Sequence, residues 1–155
     1  MRKAFLTLFY SGLSPKAPGT VGSLVALILG FVVLYISSAT TLFLLTILIF
    51  ILAIKEIDKY ELETSTHDNS EIVIDELAGM WLCLSMVANS EYSLVPIAIL
   101  GFVYFRILDI KKPSIIGKID AKVKGGLGVM GDDIVAGFFA GLLALATFKI
   151  ISMIF

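Results

Sequence analysis

Between Leu24 and Ile54 the chain runs for thirty-one residues without a single charge. As one α-helix that stretch would be about 46 Å long, against a bilayer hydrocarbon core of about 30 Å. The polar break SSATT at 37–41 resolves the mismatch by dividing the stretch into two antiparallel helices, expected at 22–37 and 40–54. Three further apolar segments follow, at 72–88, 94–110 and 134–155. Their boundaries are the turn-forming NSEYS and Pro113, which cannot continue a helix interior. The expected fold is therefore all-α: a polytopic membrane bundle of about five helices, four to five of them spanning, in one domain over 1–155.

Composition and charge agree with that reading. Hydrophobic residues make up 58% of the chain and charged ones 16%, where soluble domains average nearer half and a quarter. A net charge of −1 provides no field for nucleic acid, which is excluded as a partner. The lone Cys83 rules out an internal disulfide and a cysteine-based zinc site. The start MRKAFLTLFYSG has too short an apolar run for a secretory signal and no small-residue cleavage site after it. It reads as an amphipathic segment at the interface. Eleven of the twelve basic residues fall before the first helix, after the second, or at and after the end of the fourth. The loops on the other side carry none, so the positive-inside rule makes the basic face cytoplasmic; Lys149 snorkels to the opposite surface.

The polar chemistry collects on that same face, in four clusters: SPKAPGTVGS (14–23), HDNSEIVIDE (67–76), RILDIKKP (106–113) and GGLGVMGDD (125–133). Asp75 and Glu76 open the third helix, Asp109 closes the fourth, and Asp132 with Asp133 opens the fifth. A favourable charge at a helix N-terminus explains one acid per helix. It explains neither adjacent pairs entering a bilayer nor Asp109 at a C-terminal end. Acids beside hydrocarbon are by default functional and paired, and five oxygen donors without a cysteine or histidine cluster suit a hard cation such as Mg²⁺. Arg106, Lys111 and Lys112, with Thr20, Ser23 and Gly126 in the glycine-rich lead-ins, are candidate holders of phosphate oxygens. His67, the only histidine, is a candidate acid or base with Asp68 beside it, a plain loop position being the alternative.

Together, SGLSPKAPGTVGSL (11–24), IVIDELAGMW (72–81), FRILDIKKP (105–113) and GGLGVMGDDIVAG (125–137) resemble the phosphatidylglycerophosphatase A family of bacterial membrane phosphatases. The resemblance implies a Mg²⁺-dependent hydrolase that converts phosphatidylglycerol phosphate to phosphatidylglycerol and inorganic phosphate. It would sit in the cytoplasmic membrane with its site facing the cytoplasm. No CX5R loop, no DXDG sequence and no second histidine occur. This leaves metal-assisted attack of water, with an aspartate nucleophile still open. The competing class is an ion or anion transporter using the acids as an ion site. Transporters place such groups near the midplane on broken, repeated helices, and no repeat is visible here.

The charge asymmetry makes a direct prediction about orientation. Cysteines placed at Ser38 and Ser90 react with an impermeant thiol reagent from outside intact cells, and those at Ser65 and Lys118 only after permeabilisation. External labelling of Lys118→Cys would overturn the assignment.

Overall fold

The computed structural model describes residues 2–65 and 69–154. Within them the chain is helical with no strand: α1 (Arg2–Leu6), α2 (Pro18–Ile36), α3 (Ala39–Thr64), α4 (Ile74–Val87), α5 (Leu94–Lys111), α6 (Ile115–Lys122) and α7 (Gly126–Ile154). The five long helices are the five expected from sequence. Of these, α2, α3 and α7 are long and apolar enough to cross a membrane. Their outer faces expose Leu24, Ile28 and Val32, then Leu44, Leu48 and Ile51, then Phe138, Leu142 and Ile150. An apolar surface on this scale belongs against lipid.

The α2–α3 break falls at Ser37–Ser38, where the Ser38 hydroxyl caps α3 by accepting the Thr41 N–H at 3.2 Å. Several ends differ from expectation. Helix α3 continues ten residues beyond Ile54, where the charged Lys55–Thr64 meets α1 through Arg2 and the start of α7 through Asp58. The short α6 lies between the fourth and fifth expected helices, where no helix was expected, and its Ile116 is buried. Helix α7 begins at Gly126, so the glycine-rich lead-in is itself helical. The N-terminal segment folds onto the bundle. Leu6 is buried, Arg2 bridges Glu56 (2.8 Å) and Glu63 (2.5 Å), and the Leu6 carbonyl accepts the Val73 N–H at 3.0 Å. This strap fixes the entry to α4.

At the centre stands α4, only fourteen residues long and buried along most of its length. It packs against α2, α3, α5 and α7. Trp81 ties it to α2 through an indole N–H donated to the Ala26 carbonyl at 2.8 Å. Its closest neighbour is α7, and the two run in the same direction: Gly79 meets Gly137, and further along Met86 meets Gly141. A Cβ on Gly137 would overlap the backbone carbonyl of Gly79, so the two main chains touch. Such small-residue contacts let membrane helices approach closely, and Ala136 and Ala140 continue the buried face.

The two glycines of α7 should therefore respond differently. Gly137→Ala must push backbone from backbone and costs about 1–3 kcal/mol by overpacking. In Gly141→Ala the added methyl meets the flexible Met86 thioether, and the gain of about 1 kcal/mol in helix propensity leaves stability nearly unchanged. Thermal unfolding of the two variants in detergent checks the contrast.

Candidate active site

The close crossing decides where the acids meet. Asp75 precedes Gly79 by four residues, and Asp133 precedes Gly137 by four. Each carboxylate thus lies one turn from the crossing on the same helix face. The pair is joined from α5, whose Phe105 packs on Gly79 and whose next turn carries Arg106 and Asp109. The ends of α2, α4 and α5 and the early turns of α7 thereby enclose a cleft of about 490 Å³. That volume falls within the range of about 300–1,000 Å³ common for small-molecule sites.

Two carboxylate groups form inside it. One oxygen each from Asp75, Glu76 and Asp133 lie within 4.8 Å of one another, and so do oxygens from Asp109, Asp132 and Asp133. Asp132 and Asp133 are each only 3% exposed and Glu76 8%. Capping does not account for the α7 pair, because the first turn of α7 contains no acid. Asp132 lies about 9 Å along the helix, beyond the first turn where the dipole acts. Glu76 Oε2, Asp132 Oδ1 and Asp133 Oδ2 are buried without a hydrogen-bond partner. Buried polar atoms are rarely left so. Three orphaned carboxylate oxygens facing one cleft fit a divalent cation, whose ligands are such oxygens.

The basic residues are arranged around these acids. Arg106 Nη1 donates to Asp109 Oδ2 at 2.7 Å and to Ser23 Oγ at 3.2 Å, and lies 3.9 Å from Glu76 Oε1. The Arg106–Asp109 pair is largely buried, so it is not the weak exposed ion pair that its three-residue spacing alone would suggest. Ser23 in turn donates to the Gly19 carbonyl at 2.7 Å. It orients the arginine and does not line the cleft. Gly19 is glycine for a spatial reason: a Cβ there would overlap Glu76 Oε1 and crowd the Arg106 guanidinium.

Lys112 Nζ joins Asp132 Oδ2 (2.5 Å) to Asp120 Oδ1 (2.6 Å). Burial works against its ammonium form, but the hydrogen bonds to Asp120 and Asp132 outweigh that and hold its pKa above the usual lysine value. The turn after α5 makes this reach possible, with Lys112 itself in the left-handed region at φ 41°.

Of the residues singled out from sequence, Asp75, Glu76, Asp109, Asp132, Asp133, Arg106, Lys112 and Thr20 line the cleft, and Ser23 stands behind Arg106. Lys111 is exposed and points elsewhere than the cleft lining. The Gly126 amide is committed to Asp58 Oδ1 at 2.6 Å, and a Cβ there would collide with the Ile54 backbone on α3. Its lack of a side chain serves close packing. His67 and Asp68 lie outside the described residues. Sequence reasoning missed Gly19, whose signal was the PG pair opening α2, and Asp120, for which the local sequence carries no signal because its partner Lys112 comes from the preceding turn.

The family model of phosphatidylglycerophosphatase A matches residues 4–148. The phosphatidylglycerophosphatase A of Escherichia coli K12 is 39% identical over 137 residues, 87% of this chain and 77% of that protein. That of Haemophilus influenzae is 33% identical over 138 residues, 89% and 83%. A Bacteroides thetaiotaomicron protein provisionally named a phosphatidylinositol-3-phosphatase is 37% identical over 143 residues, 88% and 87%. No solved structure matches the chain.

An uncompensated buried carboxylate retained for a ligand should weaken the fold that holds it. In the presence of EDTA, Asp133→Asn is expected to raise the thermal midpoint by roughly 2–4 °C, the equivalent of about 1 kcal/mol for a chain of this size. A fall in the midpoint would mark Asp133 as a purely structural residue.

Proposed function

Because the chain belongs to the phosphatidylglycerophosphatase A family, we propose that it hydrolyses phosphatidylglycerol phosphate to phosphatidylglycerol and inorganic phosphate, with Mg²⁺ in the acidic cleft. The observation that carries this reading is the set of buried, unpartnered carboxylate oxygens beside a largely buried arginine. The orphaned oxygens call for a cation and the guanidinium for an anion, and a phosphate monoester with its metal supplies both. We place the cleft at the cytoplasmic face of the bacterial inner membrane, from the distribution of basic residues. A lipid held in that leaflet would present its head group there.

The residues that would hold metal lie among Asp75, Glu76, Asp109, Asp132 and Asp133. When bound, Mg²⁺ would neutralise phosphate oxygens and favour the ionised form of an attacking water. The chain's own groups do the rest. Arg106 offers a planar fork to two phosphate oxygens and is kept in place by Ser23 and Asp109. Its Nε, buried without a partner, is a further donor for the phosphate. Gly19 and Thr20, at the start of α2, line the same space, where a helix N-terminus favours an anion. Lys112 holds Asp132 and adds positive charge as phosphate negative charge develops. Water oxygen bonds to phosphorus as the ester P–O bond breaks, and the glycerol oxygen leaves with a proton.

The transporter alternative loses support from geometry. The acids gather at one end of the bundle, and their cleft opens there and not at the midplane.

Phosphate release from phosphatidylglycerol phosphate in detergent tests the proposal, with phosphatidylinositol 3-phosphate as the competing lipid. Chelation abolishes activity and Mg²⁺ restores it. Asp→Asn at 75, 109, 132 or 133 each costs orders of magnitude. Arg106→Lys lowers kcat at least about tenfold, or roughly 1.4 kcal/mol of transition-state stabilisation, while the folded protein still binds Mg²⁺. Turnover within a few-fold of wild type in both the 132 and 133 variants would remove the α7 pair from the chemistry.

A further inference from the structure

We infer that the cleft binds two divalent cations, with Asp133 as the carboxylate they share. The inference rests on the metal reading above and adds its stoichiometry and the division of labour among the acids.

Three observations carry it. First, the acids do not form one group of five. They form two groups of three, Asp75 with Glu76 and Asp109 with Asp132, and Asp133 is the only member of both. Second, the orphaned oxygens follow the same division. Glu76 Oε2 belongs to the first group alone, Asp132 Oδ1 to the second alone, and Asp133 Oδ2 to the residue in common. In Asp132 the anchoring contact takes the other oxygen, Oδ2, which accepts from Lys112, while Asp109 Oδ2 accepts from Arg106 and Asp75 Oδ1 from the Glu76 amide. Each group thus keeps at least one buried oxygen in reserve.

Third, the charge does not balance with one ion. Among the described residues lining the cleft are six carboxylates, counting Asp120, against Arg106 and Lys112. The excess of four negative charges is neutralised by two divalent ions and only halved by one. A single Mg²⁺ also has no use for five carboxylates, since it keeps several waters and takes one or two acidic side chains. Paired ions about 3.5–4 Å apart are a recurring arrangement in phosphoryl chemistry, and a shared carboxylate suits that spacing.

The α4–α7 crossing explains why Asp133 is the bridging residue. It lies on the α7 face turned to α4, toward Asp75 and Glu76, and it is beside Asp132, which faces Lys112 and the α5–α6 turn. A helix delivers adjacent residues about 100° apart, so neighbouring acids can serve two directions.

Mn²⁺ binding to the purified full-length chain in detergent, followed by electron paramagnetic resonance, tests the inference without reference to turnover. Wild type is expected to take up two Mn²⁺ per chain and to show an exchange-coupled spectrum at saturation. Glu76→Gln and Asp132→Asn, each checked for helix content and monodispersity, should retain one ion with an isolated six-line spectrum. Asp133→Asn should weaken both sites at least about tenfold. One Mn²⁺ per wild-type chain at saturation would overturn the inference and leave a single-metal phosphatase standing. Two uncoupled ions would overturn it as well, because no carboxylate would be shared. No bound Mn²⁺ would overturn the metal reading itself.

Discussion

The contact between Gly79 and Gly137 sets the geometry of everything above it. Two helices whose main chains touch have a fixed separation and a fixed rotation about each other, because there is no side chain to adjust. One turn above that contact, Asp75 and Asp133 face each other across a short gap as a direct consequence. Lipid offers no hydrophobic drive for helices to associate, so such an approach depends on packing of small residues and on polar contacts. Here the apolar contact also brings like charges together. The repulsion among the acids is opposed by the packing beneath them and by Arg106 and Lys112 at their flanks.

Around this pair the remaining helices act as walls and braces. Helix α2 supplies Gly19 and Ser23, one leaving room for the guanidinium and the other orienting it. The extension of α3 supplies Asp58, which secures the first amide of α7. The strap formed by α1 secures the start of α4 through Val73. Apart from Gly19, which lies against Glu76, none of these contacts touches the cleft's acids, yet each holds an element that does. The five carboxylates and Arg106 are thus carried by helices, as precise placement of charged groups requires, while Lys112 reaches in from the turn after α5.

Much of this was legible in the sequence, for a simple reason. Carboxylates such as Asp132 and Asp133 at the border of an apolar run are costly enough to signal purpose. The absence of charge in Leu24–Ile54 and the polar break at Ser37–Ser38 likewise located two helices and their turn. What was not legible concerned helix ends. Lys55–Thr64 is helical because it packs on α1 and on the start of α7, which hydropathy cannot report. The run Gly125–Gly131 reads as a turn by propensity, since each helical glycine costs about 1 kcal/mol relative to alanine. Tertiary contact with the Ile54 backbone reverses that preference. Placing Asp132 and Asp133 at the helix start was an error of the same origin, and the correction moves them to a depth where capping no longer applies. Asp120 was passed over because nothing in the local sequence of α6 reveals that Lys112 curls back to meet it.

The fourteen-residue α4 has a bearing on how the protein is made. At about 21 Å it falls short of the hydrocarbon thickness, and two acids near its start make it a poor candidate for insertion by itself. Its stable position depends on neighbours that precede and follow it in the chain, including α7, which is synthesised after the other described helices. Asp132 and Asp133 arrive with that same helix. A nascent chain therefore carries only part of its acidic cluster while it is being threaded into the bilayer, and the cluster reaches full charge density in the step that encloses α4. Assembly order thus spares the partly built bundle the worst of the electrostatic strain that the finished one tolerates.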